Sequence, residues 1–423
     1  MNAGRAHDTS NDYDIAVVGA GLAGACAAAL LARHAGVAAE RIVLLADAFP
    51  GPITADAPPD LRVVALSRAS ERILMAADAW SRLPRQRLCA YQRMRVWHEA
   101  TAANGAGALC FDAADLGEPN LGYIAESVLL QRACLDSFRQ AGGVLRTGPV
   151  HSLATDSEGV RLQFADRGAG ADASTETLSA RLVIGADGAN SLVRAQARIA
   201  VRAQDYHQLA LIATVRTARP HQHTAWQRFL RTGPLAFLPL FDGSSSVVWS
   251  LDTAQVAPLP DCPVAQFAER LEAAIGGVLG AITLASERRC FALRSVAAGS
   301  YVAPRCALIG DAAHVIHPLA GQGANLGLLD AAALCEALAA AVAKGEDPGA
   351  LRVLRGYEQQ RRTHNRMMNA AMSTLQRGFT AASPPAAWLA VGALGLVNRS
   401  AMLKRAFARR ALGEAGELPR LAR

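Results

Sequence analysis

The sequence predicts an α/β chain: a Rossmann-like dinucleotide-binding domain, an inserted and mostly antiparallel β-sheet domain, and a helical C-terminal segment. Three observations lead there. The run YDIAVVG (13–19) passes into a glycine turn and then an alanine-rich segment, the order strand, tight turn, helix. Short strand-like runs separated by Gly, Pro, Asp and Ser fill residues 205–300. After that block RCALIGD (305–311), a loop and a long Ala/Leu stretch repeat the strand–turn–helix order.

Each element follows in turn. Residues 41–47 (RIVLLAD) form a second buried strand ending in an acid, which completes a βαβ start. Residues 61–80 combine a short strand with a helix ending near Trp80, and residues 121–141 begin extended (LGYIAES) and turn helical. Alternating segments from 150 to 185 end in the strand ARLVIGADG, and the polar stretch 165–177 reads as a loop or hairpin tip. LALIATVRT (209–217), GPLAFLPLF (233–241) and SSVVWSLD (245–252) supply the inserted sheet, with a helix at 263–275. A long helix is expected at about 323–343, then a charged helical stretch at 355–366 and an apolar one at 386–397. The division is a discontinuous cofactor domain (1–80, 100–200 and 300–380), a sheet domain (80–100 and 205–300) and a tail (381–423).

Composition bounds the function. A chain of 423 residues, 51% hydrophobic and 19% charged, is globular and long enough for two or three domains. The net charge is +7 and nearly all of the positive charge is arginine, Lys344 and Lys404 being the lysines. No Arg-rich run with interleaved aromatics occurs, which argues against nucleic acid; the diffuse excess suits an anionic cofactor or a membrane surface. Eight cysteines form no CxxC and no zinc-type cluster with His, so no metal site is expected and the thiols read as reduced core residues. Residues 1–12 are polar, without the apolar core of a signal peptide, and a cytoplasmic location is expected. No uninterrupted apolar run reaches the ~20 residues of a membrane span.

Three motifs carry chemistry. In VVGAGLAG, Gly19 permits the tight turn, Gly21 lets backbone approach a pyrophosphate, and Gly24 lets helix and strand pack closely. Asp47 ends the next strand, where a carboxylate meets a ribose diol. The motif by itself does not separate NAD from FAD. GADGANSLVR (185–194) places Asp187 and Gly188 in a turn, with Ser191 and Arg194 at helical spacing. GDAAHVIHPLAGQGANLGLLD (310–330) ends a strand at Gly310 and Asp311 and starts a helix near Gly323. Its Pro318, Gly321 and Gly323 let the backbone pass close to a flat ligand, and the helix start favours negative charge, as a reduced flavin requires.

In this order the three motifs resemble those of class A flavoprotein monooxygenases of the para-hydroxybenzoate-hydroxylase fold, with a Rossmann-like FAD-binding domain of the GR2 type. LRVVALSRASERIL (61–74), LGYIAES (121–127), GPLAFLPLF, VVWSL and YEQQRR (357–362) resemble the ubiquinone-biosynthesis FAD-dependent hydroxylases more closely still, from about residue 13 to the C-terminus. The resemblance implies that Gly19, Gly21 and Gly24 cradle the FAD diphosphate, with Asp47 on the ribose and Arg62 and Gln131 at the diphosphate or ribityl chain. Asp187 sits near the diphosphate, in a segment also tied to NAD(P)H. Gly310 and Asp311 meet the ribityl chain, and Pro318, Gly321, Gln322, Gly323 and Asn325 line the flavin. One departure is LLAD, where the family commonly ends the second strand in Glu.

The resemblance also implies the reaction: NADH or NADPH reduces FAD, and O2 then yields a C4a-hydroperoxyflavin that hydroxylates an electron-rich ring. The protein must orient that ring and exclude water. Phe237, Pro239 and Trp249 are candidates for the apolar pocket, with sheet core as the alternative for each. His314 and His317 flank the flavin loop as candidate acid–base groups, with a structural role favoured for His314. The expected substrate is a polyprenylated phenol of ubiquinone biosynthesis, hydroxylated at C5 first, with the C6 and C1 branches sharing most motifs. Other ubiquinone-biosynthesis proteins are expected partners. The basic, apolar tail is matched equally to peripheral contact with the inner membrane and to packing on the FAD domain. The alternatives are a hydroxylase of another aromatic and an FAD-holding scaffold without turnover.

Overall fold

The computed structural model describes residues 11–54, 56–105, 107–166, 174–256, 258–316, 322–380 and 417–423. Its centre is a parallel sheet in which Tyr13–Val18 lies between Ser174–Gly185 and Ile42–Ala46, flanked in turn by Cys306–Leu308 and Val144–Thr147. Ile15, Val17, Val43 and Leu44 are fully buried, which is why these strands read as unbroken apolar runs and not as alternating ones. Leu22–His34 lies against two other helices, Ser127–Gln140 and Gln322–Ala343. Its alanine-rich sequence, buried from Gly24 to Leu31, lets those neighbours come close. Ser174–Gly185 also extends into an antiparallel meander with Val160–Asp166 and Val150–Thr155, and the hairpin tip falls in residues outside the described set.

The second sheet has nine strands. Along its main path Arg289–Ala298, Val201–Thr217, Ser245–Asp252, Gly233–Pro239, Thr224–Leu230, Arg93–His98 and Leu109–Asp112 follow one another, with His314–Val315 at one edge. Leu109–Asp112 joins this sheet although it lies past residue 100, because it pairs antiparallel with Arg93–His98. His314–Val315 pairs with Val296 and Ala297, so the segment after Asp311 is stitched to the sheet. A smaller sheet of Val63–Leu66, Gly122–Glu126 and Cys89–Tyr91 stands beside it, with Leu240 packed on Cys89 and Ile124.

Strand periodicity of two gives the nine-stranded sheet two different faces. Trp249 stands opposite Leu235 and Leu211, and Phe237 opposite Val247. These residues share one face, which Val264–Ile275 covers through Phe267, Leu271 and Ile275. Ala236, Leu238, Val248, Ala210, Ile212 and Phe291 alternate onto the other face.

Gln322–Ala343 is followed by a second long helix, Leu351–Thr380. The stretch Gly323–Ala343 has mean hydropathy 1.8 and is long and apolar enough to cross a membrane, but it is mostly buried, as a core helix is. Asn325, Asp330 and Glu336 interrupt its apolar run, so it is not the uninterrupted stretch that a membrane span shows in sequence. The proposed membrane-contacting segment 386–397 lies outside the described residues. The last seven residues turn back to the core, where Leu418 and Ala422 are buried and Leu421 N donates to Glu336 Oε1 at 2.8 Å.

Candidate active site

The first motif is built as close packing on one side and open space on the other. Gly19 has φ +103°, and a side chain on it would strike the Ala186 carbonyl of the adjoining strand. A side chain on Gly24 would strike the Gly19 carbonyl. Gly21, by contrast, faces nothing within 4 Å, and it precedes a helix whose N-terminus has no side-chain cap. The free N–H groups at that start and the positive end of the helix suit a diphosphate. The Gln131 side chain donates to the Ala20 carbonyl, which brings Gln131 to this turn. Asp47 is exposed at the end of the neighbouring strand.

The second motif is a self-capping turn. Asp187 Oδ1 accepts from Ser191 Oγ at 2.5 Å and Oδ2 from Val193 N at 3.1 Å. Ser191 Oγ accepts in turn from Arg194 N at 2.9 Å, the N-cap of the short helix Leu192–Gln196. Arg194 is buried and donates to Ala189 O and Ala312 O, each at 2.9 Å, so it ties this turn to the third motif. The Asp187 carboxylate therefore organises its own turn, and its backbone lies against Gly19.

In the third motif Gly310, φ +56°, is pressed between Ala23 and Gly327. Asp311 is exposed to solvent yet crowded by protein, the combination a concave site produces. Burial pushes its carboxyl above the ordinary carboxylate range, and nearby His314 partly offsets this. Gly323 faces nothing within 4 Å. The Asn325 amide is engaged by protein partners: Oδ1 accepts from Ser67 N (3.0 Å) and Ser70 Oγ (2.7 Å), and Nδ2 donates to Ala65 O (2.9 Å). It fastens the start of the long helix to the segment 65–70. His317, Pro318 and Gly321, and the side chain of Gln322, lie outside the described residues.

His314 is buried and its Nε2 donates to Asp330 Oδ2 at 2.5 Å, which makes it part of the framework beneath this loop. The Arg62 guanidinium lies 5.0 Å over the Phe291 ring, against the inserted sheet. The loop before Arg62 is held by a pair that sequence reasoning missed. Buried Arg87 donates to both Glu126 oxygens (2.8 and 2.7 Å) and to Ala57 O, while Glu126 Oε1 accepts from Asp60 N. Removing one member of such a pair costs about 3–5 kcal/mol.

The pocket candidates need correcting. Phe237 is fully buried among Trp97, Val247, Phe267 and Leu271, and Trp249 belongs to the same core. Pro239 shares their face by register, opposite Ser245. All three therefore lie on the helix-covered side of the sheet. The side that Arg62 meets carries Ala236, Leu238, Val248 and Phe291, each only half-buried. A half-buried apolar surface of this kind is what a site for an apolar partner presents.

The donor set fits a flavin dinucleotide. Gly21 and Gly323 leave room beside backbone, an uncapped helix start faces the Gly21 opening, and acids stand at two strand ends. Known proteins agree with this geometry. The model of the FAD binding domain family matches residues 128–371. The chain is 35% identical to the 3-demethoxyubiquinol 3-hydroxylase of Escherichia coli K12, covering 96% of this chain and 100% of that protein. The chain belongs to the FAD-dependent ubiquinone-biosynthesis hydroxylases. The human member, ubiquinone biosynthesis monooxygenase COQ6, is 31% identical over 94% of this chain and 92% of its own length. The crystal structure of p-nitrophenol 4-monooxygenase PnpA from Pseudomonas putida shares the fold at 20% identity and a TM-score of 0.75, covering 96% and 99% of the two chains. As a member of this hydroxylase family the protein is an FAD-dependent aromatic monooxygenase, and FAD is its cofactor.

Proposed function

We propose that this protein hydroxylates the aromatic ring of a polyprenylated phenol on the route to ubiquinone, using NAD(P)H as reductant and O2 as oxygen donor. The observation that carries this reading is the end-to-end match to hydroxylases named for that route. When bound, FAD supplies the redox chemistry, accepting a hydride and activating O2. The chain supplies binding, orientation and exclusion of water. Gly19, Gly21 and Gly24 would hold the diphosphate with Gln131 beside them, Asp47 the ribose, and Gly310 and Asp311 the ribityl chain. Ala236, Leu238, Val248 and Phe291 would take the apolar ring, with Arg62 stacked at the rim. Burial of apolar area there contributes about 25 cal/mol per Å² to substrate binding and keeps water from the reacting face.

Two ring positions are supported by different observations. LGYIAES and DGANSLVR favour C5, as their resemblance implies. The name of the Escherichia coli relative favours instead the carbon that lacks its methoxy group in 3-demethoxyubiquinol. Quinone profiling by mass spectrometry in a strain lacking the gene separates them. Accumulation of a polyprenylphenol without the C5 hydroxyl supports the first, and accumulation of a demethoxyquinol supports the second. A normal quinone profile would remove the ubiquinone reading and leave an FAD hydroxylase of another aromatic.

A further inference from the structure

Arg87 and Glu126 form a buried ion pair that the cofactor and substrate contacts proposed above do not use, their side chains being 4% and 2% exposed. Glu126 ends the strand Gly122–Glu126 of the small sheet, and Arg87 closes the short turn Arg85–Arg87 before the strand Cys89–Tyr91. Every nitrogen of the Arg87 guanidinium is engaged. Nε and Nη2 donate to the two Glu126 oxygens (2.8 and 2.7 Å), Nη1 donates to Ala57 O (2.8 Å), and Nη2 also donates to Pro58 O (3.3 Å). Glu126 Oε1 accepts in addition from Asp60 N at 2.8 Å. Both members of the pair therefore bind the loop before Arg62. The same guanidinium lies 4.7 Å over the ring of Phe241, just past the strand Gly233–Pro239, which ties the loop to the inserted sheet.

Stability is a poor account of this pair, because a buried ion pair adds little over a well-packed apolar pair of similar volume. What it supplies is a set of directed hydrogen bonds to a segment without regular structure of its own. Among the described residues no helix or strand lies between Asp47 and Arg62, and irregular connections of that length are usually functional. The bonds continue to Arg62. Asp60 Oδ1 accepts from Arg62 N at 2.6 Å, and Arg62 O accepts from Ser127 N at 2.9 Å, next in sequence to Glu126. The Arg62 backbone is thus held from both sides, while its guanidinium reaches out over Phe291 on the open face of the nine-stranded sheet. We propose that Arg87 and Glu126 are positioning residues for the substrate site: they hold loop 57–62 in one arrangement and so fix Arg62 as the rim against which an aromatic ring on the open face is placed. Released from that loop, Arg62 would be a mobile surface side chain, and the ring would lose a partner in ground state and transition state alike. Such a loss raises KM and leaves kcat. This inference rests on the reading of the open face as the site of the ring.

The test separates positioning from stability. Arg87→Met combined with Glu126→Leu removes both charges together, so no buried charge is left unpaired and the urea midpoint should stay near that of wild type. The bonds to Ala57, Pro58 and Asp60 are lost all the same. Backbone hydrogen exchange at residues 60–62, read by mass spectrometry, should become about tenfold faster. KM for a polyprenylphenol should rise about tenfold, with kcat changed by less than about twofold. Arg62→Ala should raise KM to the same extent, and adding the pair replacement to it should raise KM by no more than about a further twofold. If the double variant does not fold, Arg87→Lys takes its place: it keeps a charge beside Glu126, cannot fork to the loop carbonyls, and should show the same exchange and KM pattern. A pair that serves stability alone would leave exchange and KM at wild-type values once the midpoint is restored, and that outcome overturns the proposal, as does a KM effect that multiplies in full with that of Arg62→Ala. If wild type turns over no phenol, the substrate reading fails and exchange decides alone: faster exchange at residues 60–62 supports the positioning of the loop, and unchanged exchange overturns it.

Discussion

The two faces of the nine-stranded sheet carry similar residues and do opposite things. On one face Leu235, Phe237, Val247 and Trp249 are sealed under the helix Val264–Ile275. On the other, one residue along each strand, Ala236, Leu238 and Val248 stay half-buried beside Phe291 and Arg62. Side-chain size does not separate the faces, since Phe291 and Leu238 stand on the second and Ala213 on the first; the covering helix does. A hydrophobic residue near a cofactor is thus pocket or core according to its parity along the strand.

Substitutions one residue apart should break that symmetry in opposite directions. Phe237→Ala removes a fully buried ring and should destabilise the protein by about 3–5 kcal/mol in urea unfolding, with turnover per folded molecule retained. Loss of turnover in folded Phe237→Ala protein would return Phe237 to the pocket. Leu238→Trp should act the other way. Leu238 is half-buried and packs beside Cys89, Ile124 and Leu240, so the variant's unfolding free energy should fall by about 1–3 kcal/mol, while KM for the phenol rises about tenfold and NAD(P)H oxidation runs uncoupled from hydroxylation. An unchanged KM would show that the open face does not take the ring.

The framework beneath the third motif is held by charge, so it should respond to pH where the sheet does not. The folded Asp330 carboxyl is depressed below its unfolded value of about 3.9, so its contribution is present at neutral pH and is lost as pH falls below that value. Wild type should therefore lose up to about 1.4 kcal/mol per pH unit from this group below about pH 4. Asp330→Asn, already weaker at neutral pH, should show a flatter acid limb in urea melts. Parallel acid limbs for the two proteins would remove the charge argument.

How legible each part was depends on how far apart its residues lie in sequence. The glycine turn at 19–24, the capped turn at 187–194 and the strand end at Gly310–Asp311 are each made within one contiguous segment, so spacing and residue type specify them. The sheet faces were not legible, because GPLAFLPLF is apolar at nearly every position and no polar alternation marks the outer side. Arg87 and Glu126 meet across 39 residues, and Asp330 meets Arg361 across 31, so no local pattern announces either pair. Asn325 lies inside the third motif, yet its partners are Ser67 and Ser70, more than 250 residues away.

The most direct measurement is the origin of the oxygen in the product. Purified holoprotein supplied with NAD(P)H, oxygen-18 gas and a polyprenylphenol should yield a hydroxylated ring carrying one labelled oxygen atom, seen by mass spectrometry. NAD(P)H consumed in the presence of that phenol with no labelled ring would contradict an aromatic monooxygenase acting at the open face of the sheet.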